Sequence, residues 1–258
     1  MESIDLFDSS RQRAIPLGLY TYQGPRFQGW IFFSVGFGGS RSGYAYLGRA
    51  WSQLGFQVAV LEHIGSNAEV LKGLQRPGMR NAELAEVVGE KVREPQELAD
   101  RPLDLAYARR VLCPDRHWAG VAGHSFGSYT ALAGLSLDHW DGLVLMSPQP
   151  PGDRHSRAEL ARVSQPCLVL TGTRDSGMPA GVTYEQRLQT YQALPAGTRR
   201  LALLEGADHM AFAGIGLAVA PHMETVAAVT GEFWSAVREN RPPHWPHGLP
   251  VAVEFSSD

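Results

Sequence analysis

The stretch that decides the fold is Trp118-Ala-Gly-Val-Ala-Gly-His-Ser125-Phe-Gly-Ser-Tyr-Thr-Ala-Leu-Ala133. Its apolar first part, 118–122, predicts a short buried strand, and the small residues after Ser125 predict a helix. Between them, Gly123-His-Ser-Phe-Gly127 matches the pattern G-x-S-x-G, in which a serine occupies an abrupt strand-to-helix turn. The two glycines allow a sharp bend and a close approach of strand and helix. We therefore expect the Ser125 hydroxyl to project clear of the fold.

This turn has chemical consequences as well as geometric ones. A helix that starts after Ser125 leaves the N–H of Phe126 without an intrahelical partner, so that N–H can face a developing oxyanion. The pattern alone does not establish a nucleophile, because a glycine-rich turn with a solvent-facing serine would look the same. The rest of the chain has to supply a base, an acid and a second oxyanion donor.

Length and composition indicate one soluble globular domain. The chain has 258 residues, 44% of them hydrophobic and 19% charged, and no Ser/Gly linker divides it. We assign 1–258 to a single domain with an N-terminal hairpin at 1–28 and an extended tail at 240–258. The net charge of −3 gives no electrostatic reason to expect nucleic acid or an anionic membrane as a partner.

The N-terminus and the cysteines bear on the compartment. Residues 1–8 contain early acids and no long apolar run, which is unlike a signal peptide, and no apolar stretch approaches the roughly 20 residues that span a bilayer. We expect a cytoplasmic protein. Cys113 and Cys167 have no metal-type spacing and are expected to be buried thiols.

A strand–loop–helix–strand pattern near the N-terminus predicts a parallel sheet. The strand Trp30–Val35 is almost continuously apolar, a glycine-rich loop covers 36–43, a helical pattern follows through Leu54, and Phe56–Leu61 is the next strand. The loop is not a dinucleotide fingerprint, because Arg41 stands where the third glycine would be. It fits better as the source of a second oxyanion N–H.

The remaining elements extend this α/β pattern. Short runs at 4–7 and 15–22 predict an antiparallel hairpin, and 63–80 is expected to be irregular. The other predicted helices cover 81–92, 103–112, 184–194 and 225–238, and the other predicted strands cover 142–147, 167–171 and 200–204.

Two residues after later strands can complete a catalytic triad with Ser125. Asp175 follows the strand 167–171, and His209 follows the strand at 201–204, so all three lie beyond the carboxyl ends of strands, in the order Ser, Asp, His. Other readings remain open. Asp175 could simply form a turn, His209 could bond to its neighbour Asp208, and Glu205 and Asp208 are reserve acids.

Four further residues are candidates for the substrate pocket: His63, Gly38, His124 and Met178. His124 is inside the elbow, where packing against the core is its alternative role, and His63 follows the strand 56–61 near the same edge of the sheet. We expect no metal, because His244 and His247 are poorly spaced for one, and no cofactor.

With these residues identified, the chain resembles α/β-hydrolase esterases of the dienelactone-hydrolase and platelet-activating-factor-acetylhydrolase-like group. The matching stretches are 34–44, 123–127, 171–175 and 206–212, and they cover a core from about Ile15 to Val237. The resemblance implies an α/β-hydrolase fold with a mostly parallel sheet, helices on both faces and hydrolysis of carboxylic esters, lactones or short acyl groups. It also implies that Phe37 and Phe126 supply the oxyanion N–H groups.

The chain departs from this group in two ways. Members usually carry His-Gly where this chain has Val35-Gly36, and that histidine fixes the oxyanion loop through side-chain hydrogen bonds. Dienelactone hydrolases proper have a cysteine at the elbow, whereas Ser125 favours an esterase. No long insertion follows the strand ending at Ser147, so we expect no large cap domain and an open site shaped by 63–80 and 148–163.

These observations lead to one main hypothesis and two alternatives. The first is a serine hydrolase that acts on a small-molecule ester or acyl substrate. The second keeps the same triad for acyl transfer, cyclisation or a lyase step, and the third is a non-catalytic binding module on the same fold. Oligomeric state is open, because the tail around Trp245 could pack on its own domain or on a second copy.

Overall fold

The computed structural model describes residues 1–113, 117–152, 154–176, 181–216 and 219–256. Within these ranges, nine strands form one sheet in the order β1-β2-β4-β3-β5-β6-β7-β8-β9. The strands are β1 Glu2–Asp8, β2 Arg13–Tyr20, β3 Gly29–Ser34, β4 Phe56–Leu61, β5 Ala119–His124, β6 Gly142–Met146, β7 Cys167–Gly172, β8 Arg199–Leu204 and β9 Val253–Ser256.

The sheet is parallel from β4 to β8 and antiparallel at both edges. β4, β3, β5, β6, β7 and β8 pair in parallel, whereas the hairpin β1–β2 and the last strand β9 run antiparallel to their neighbours. The predicted fold class, with its N-terminal hairpin, is confirmed. The helices are α1 Ala45–Gln53, α2 Ala68–Leu74, α3 Asn81–Lys91, α4 Pro95–Leu112, α5 Phe126–Gly134, α6 Arg157–Leu160, α7 Tyr184–Ala193 and α8 Ala220–Arg238.

Both faces of the sheet are covered, which explains why its central strands are continuously apolar. One face packs against α1 and α8 around Phe33, Trp51 and Trp234. The other packs against α4, α5 and α7, with Phe32 and Trp140 in its core. Because β3 alternates its side chains, the adjacent Phe32 and Phe33 enter opposite cores. This double burial fixes the carboxyl ends of the strands that carry the candidate site.

Three elements differ from the sequence prediction. The segment 63–80 is not wholly irregular, because it contains α2. Helix α4 begins at Pro95 and continues through Pro102, where a helix break would be expected. The Leu98 carbonyl, which Pro102 cannot satisfy, accepts a hydrogen bond from the Tyr129 hydroxyl at 2.9 Å instead. Long-range contacts therefore preserve a helix that local rules would end.

The C-terminal tail is the third difference, because part of it forms β9 beside β8. Trp245 stacks on Phe255 of β9 with ring centroids 4.5 Å apart. The tail thus packs on its own domain. Cys113 and Cys167 are both buried, as expected. Across the described ranges, no helix is long and apolar enough to cross a membrane.

Candidate active site

Ser125 occupies a strained position between β5 and α5. Its backbone has φ 55° and ψ −116°, a conformation that costs a residue other than glycine about 1–3 kcal/mol. The strain is supported on both sides: the Ser125 N–H donates to the Met146 carbonyl, and the Ser125 carbonyl accepts from the Ser128 N–H, both at 2.9 Å. The turn presents the half-buried Ser125 at a cavity.

The two glycines of the elbow are required by close backbone contacts. A Cβ on Gly123 would lie 2.0 Å from the Gly127 carbonyl oxygen, and a Cβ on Gly127 would lie 1.9 Å from the Ser34 carbonyl oxygen. No larger residue fits either distance without moving the backbone. The start of α5 is therefore pressed against the ends of β5 and β3, which brings the elbow beside the glycine loop.

The structure brings Asp175 and His209 together. Asp175 Oδ1 lies 2.9 Å from His209 Nδ1, and its other oxygen accepts from the Thr171 hydroxyl at 2.9 Å. The contact at Nδ1 leaves Nε2 of the imidazole for a second partner, and both His209 and Ser125 line the same cavity. Asp175 is thus placed to orient the imidazole of His209.

The two reserve acids are placed differently. The carboxylate of Asp208 accepts a hydrogen bond from the Ala211 N–H at 2.8 Å and caps the short 3₁₀ helix His209–Ala213. Glu205 is exposed to solvent. Asp175 is thus the carboxylate that orients His209.

A buried arginine, which the sequence did not single out, shares the carboxylate of Asp175. Arg187 on α7 lies with Nε 2.9 Å from Asp175 Oδ1, and its Nη1 donates to the carbonyls of Ser147 and Pro148. Burial opposes ionisation of Asp175, but the His209 hydrogen bond and the charges of His209 and Arg187 outweigh it and hold its pKa well below the usual range. Asp175 is therefore an anion at any working pH.

The two residues predicted to supply oxyanion N–H groups lie at the same cavity. Phe37 and Phe126 both line the cavity that holds Ser125. In the described part of the chain, neither N–H donates to a backbone carbonyl. The loop around Phe37 is itself held, because the Gly38 N–H donates to the Ser66 carbonyl at 2.8 Å.

His124 connects the glycine loop to the base. Burial lowers its pKa well below the usual value, with the charge of His209 acting in the same direction, so the ring is neutral. Its Nε2 lies 3.0 Å from the His209 carbonyl and therefore carries the proton. Nδ1 then accepts from the Tyr44 hydroxyl at 2.7 Å, and that hydroxyl accepts from the Gly36 N–H.

The cavity has a volume of about 220 Å³ and is mainly apolar. Its wall opposite the strand ends comes from Leu71 of α2, from Val88 and Gly89 of α3 and from Val92 just beyond α3. Its polar members away from the elbow include Ser40, Tyr44, Gln149 and Arg154. The insertion between β4 and α4, residues 62–94, thus covers the site.

The four pocket candidates divide as follows. Gly38 and His124 line the cavity, whereas Met178 lies outside the described residues. The expectation for His63 is wrong, because its ring is fully buried behind the site, with Nε2 2.9 Å from Ser34 Oγ and Nδ1 3.1 Å from Asp104 Oδ2. The chain turns inward after β4, so His63 faces α4 rather than the cavity. Within the described ranges, no group of three or more His, Cys, Asp or Glu residues could hold a metal ion.

Comparisons with known proteins agree on the architecture. No protein-family model and no curated protein matches the sequence. Among solved structures, a ferulic acid esterase from Streptomyces cinnamoneus matches with a TM-score of 0.69 and 17% identity, over 99% of this chain and 95% of that one. Dienelactone hydrolase from Anabaena variabilis matches with a TM-score of 0.61 and 17% identity, over 91% and 97%.

A third match is the esterase domain of a Rhodothermus marinus protein, with a TM-score of 0.61 and 14% identity over 92% of this chain and 98% of that one. At these identities the matches bear on the fold. The expected resemblance is confirmed at that level: the chain has the α/β-hydrolase fold.

Proposed function

We propose that the protein is a serine hydrolase that cleaves a carboxylic ester through an acyl-enzyme. The observation that carries the proposal is the 2.9 Å contact between Asp175 and His209 beside the same cavity as Ser125. The positive φ of Ser125 adds to it, since backbone strain of this kind concentrates at functional positions. The names of the three structural matches, all hydrolases or esterases, are compatible with this chemistry.

In this mechanism Ser125 Oγ attacks the ester carbonyl while His209 Nε2 takes its proton. Asp175 stabilises the imidazolium that forms, and the N–H groups of Phe37 and Phe126 bind the oxyanion of the tetrahedral intermediate. His209 then gives the proton to the leaving alcohol. Water attacks the acyl-enzyme by the same route and releases the acid.

The cavity lining favours an apolar acyl group. Leu71, Val88 and Val92 form its wall, and the exposed side chains of Met210 and Ile215 stand at its mouth. Burial of an apolar chain there is worth about 0.8 kcal/mol for each methylene group. A volume of about 220 Å³ sets a limit to the length of that chain.

The test is covalent labelling with a fluorophosphonate, followed by intact-protein mass measurement. We expect one adduct on the wild type, and none on Ser125→Ala or His209→Ala. Ser136→Ala is the matched control, because Ser136 is an exposed serine that does not line the cavity. An adduct that survives in Ser125→Ala, or a folded wild type that does not label, contradicts the proposal.

Hydrolysis of p-nitrophenyl esters of increasing chain length then defines the substrate class. Free acid as the only product supports hydrolysis. Transfer of the acyl group to an added alcohol would instead favour the acyl-transfer alternative.

A further inference from the structure

A second buried arginine, Arg101 of α4, binds the segments on either side of the candidate oxyanion hole. Its side chain is fully buried. It donates hydrogen bonds from Nη2 to the Val35 carbonyl and the Ser34 hydroxyl, from Nη1 to the Ser66 hydroxyl at 2.7 Å and from Nε to the Thr130 hydroxyl at 2.9 Å. The guanidinium also lies over the Phe126 ring, 4.3 Å from its centroid.

These partners belong to, or contact, the two backbone segments that carry the predicted oxyanion donors. The Val35 carbonyl is two residues before Phe37. Ser66 lies in the loop after β4, and its carbonyl accepts a hydrogen bond from the Gly38 N–H of the glycine-rich loop. Thr130 and Phe126 belong to α5, the helix whose first N–H is the other donor. One rigid, planar group therefore fixes the spacing between the loop and the elbow.

Arg101 is itself held by a buried relay. The Ser34 hydroxyl, which accepts from Arg101 at 3.1 Å, can donate to His63 Nε2, and His63 Nδ1 can donate to Asp104. The relay has the residue types of a catalytic triad, but all three side chains are fully buried away from the cavity. Its geometry orients the Ser34 oxygen toward the guanidinium.

The charge of Arg101 is maintained in this interior. Burial lowers its pKa to about 9, and the charges of Glu97 and Asp104 oppose that shift. The side chain is therefore cationic at neutral pH, and every hydrogen bond it donates is charge-assisted.

We propose that Arg101 is the positioning residue of the candidate oxyanion hole, since it binds the backbone beside Phe37 and packs on the ring of Phe126. The inference rests on the proposed function. Arg101 does not line the cavity, so it acts through the groups it contacts: the Val35 carbonyl, the Phe126 ring and the hydroxyls of Ser34, Ser66 and Thr130.

The experiment compares Arg101→Met and Arg101→Lys with Arg109→Met. Arg109 is a matched control, because it is also a buried arginine of α4 over an aromatic ring, that of Trp140, but it is far from the oxyanion loop. For p-nitrophenyl acetate we expect kcat to fall on the order of 10²-fold in the Arg101 variants with KM changed less than about threefold. Affinity for an alkyl boronic acid, whose tetrahedral adduct needs the same N–H groups, should fall in parallel.

A structural role alone would not produce that pattern. The inference is wrong if kcat and boronate affinity fall no more in the Arg101 variants than in Arg109→Met, or if only KM changes. The proposed function stands in either case. If the folded wild type is not labelled by fluorophosphonate, both are wrong.

Two milder variants test the same inference if Arg101→Met and Arg101→Lys do not fold. Ser66→Ala and Thr130→Val each remove one acceptor of the guanidinium and leave its hydrogen bond to the Val35 carbonyl in place. Thr130→Val also removes the hydrogen bond that the Thr130 hydroxyl donates to the Phe126 carbonyl. We expect each to lower kcat and boronate affinity about threefold to tenfold, and the double variant to lower both further. Unchanged kcat and boronate affinity in the folded double variant would overturn the inference.

Discussion

At the scale of single residues, two buried arginines bind the two ends of the candidate site. Arg187 shares the carboxylate that contacts His209, and Arg101 binds the Val35 carbonyl beside the glycine-rich loop. A buried cation is stable only where its partners remain, so each arginine ties the stability of the fold to the geometry of the site.

Arg187→Met should therefore destabilise the protein and impair catalysis together. It removes the cation from Asp175 Oδ1 and leaves the buried carboxylate with His209 and Thr171 as its partners. Breaking a buried ion pair from one side costs about 3–5 kcal/mol. Urea unfolding and kcat/KM for p-nitrophenyl acetate should both show the loss. Arg157→Met is the control. Arg157 lies on α6 and makes an exposed contact with Gln189, which is on α7 like Arg187, so its loss should change the unfolding free energy by less than about 0.5 kcal/mol.

At the scale of elements, α2 and α3 form the wall that faces the strand ends. Gly89 is an interior residue of α3 that lines the cavity, and a Cβ added there would meet only the Arg93 guanidinium, at an ordinary 3.5 Å. The position tolerates a side chain sterically. The absence of one keeps part of the cavity open.

Gly89→Leu should shift the chain-length preference toward short esters. The new side chain would occupy space otherwise available to the acyl group, so we expect kcat/KM for p-nitrophenyl octanoate to fall at least about tenfold relative to the acetate. Gly73→Leu is the matched control, because this exposed glycine of α2 has open space around it. An equal change in both esters, or an equal effect in the control, would show that α3 does not limit the acyl chain.

The elements also show what local sequence can and cannot predict. Ser125, Asp175 and His209 were identified because each follows a strand and the parallel sheet brings strand ends to one edge. Arg101 gave no such signal, since its partners Val35 and Ser34 are 66 and 67 residues away in sequence. The start of α4 has no local signal for a similar reason, because the Leu98 carbonyl that Pro102 leaves without its helical partner is satisfied by the distant Tyr129 hydroxyl. The edge strand β9 pairs with β8, far away in sequence, so its short sequence alone predicts only an extended tail.

At the scale of the whole molecule, the interior contains two buried histidines, His63 and His124, that are uncharged in the folded protein. Burial lowers the pKa of His63 to about 4, and the charge of Arg101 acts in the same direction. Burial also lowers the pKa of His124 well below its usual value. In the unfolded chain both titrate near pH 6.5. Between about pH 6.5 and 4 the unfolded state therefore binds more protons than the folded state, and acidification favours unfolding.

The free energy of unfolding should accordingly fall as the pH drops from about 6.5 to 4. The shift of His63 alone, from 6.5 to about 4, corresponds to a loss of about 3 kcal/mol over that range. Urea unfolding at several pH values measures the slope, and His63→Gln, which keeps a polar side chain without the titration, should flatten it. His139→Gln is the control, because it removes an exposed histidine instead of a buried one. A slope that is the same in His63→Gln as in the wild type would show that His63 is not the group whose protonation unfolds the protein.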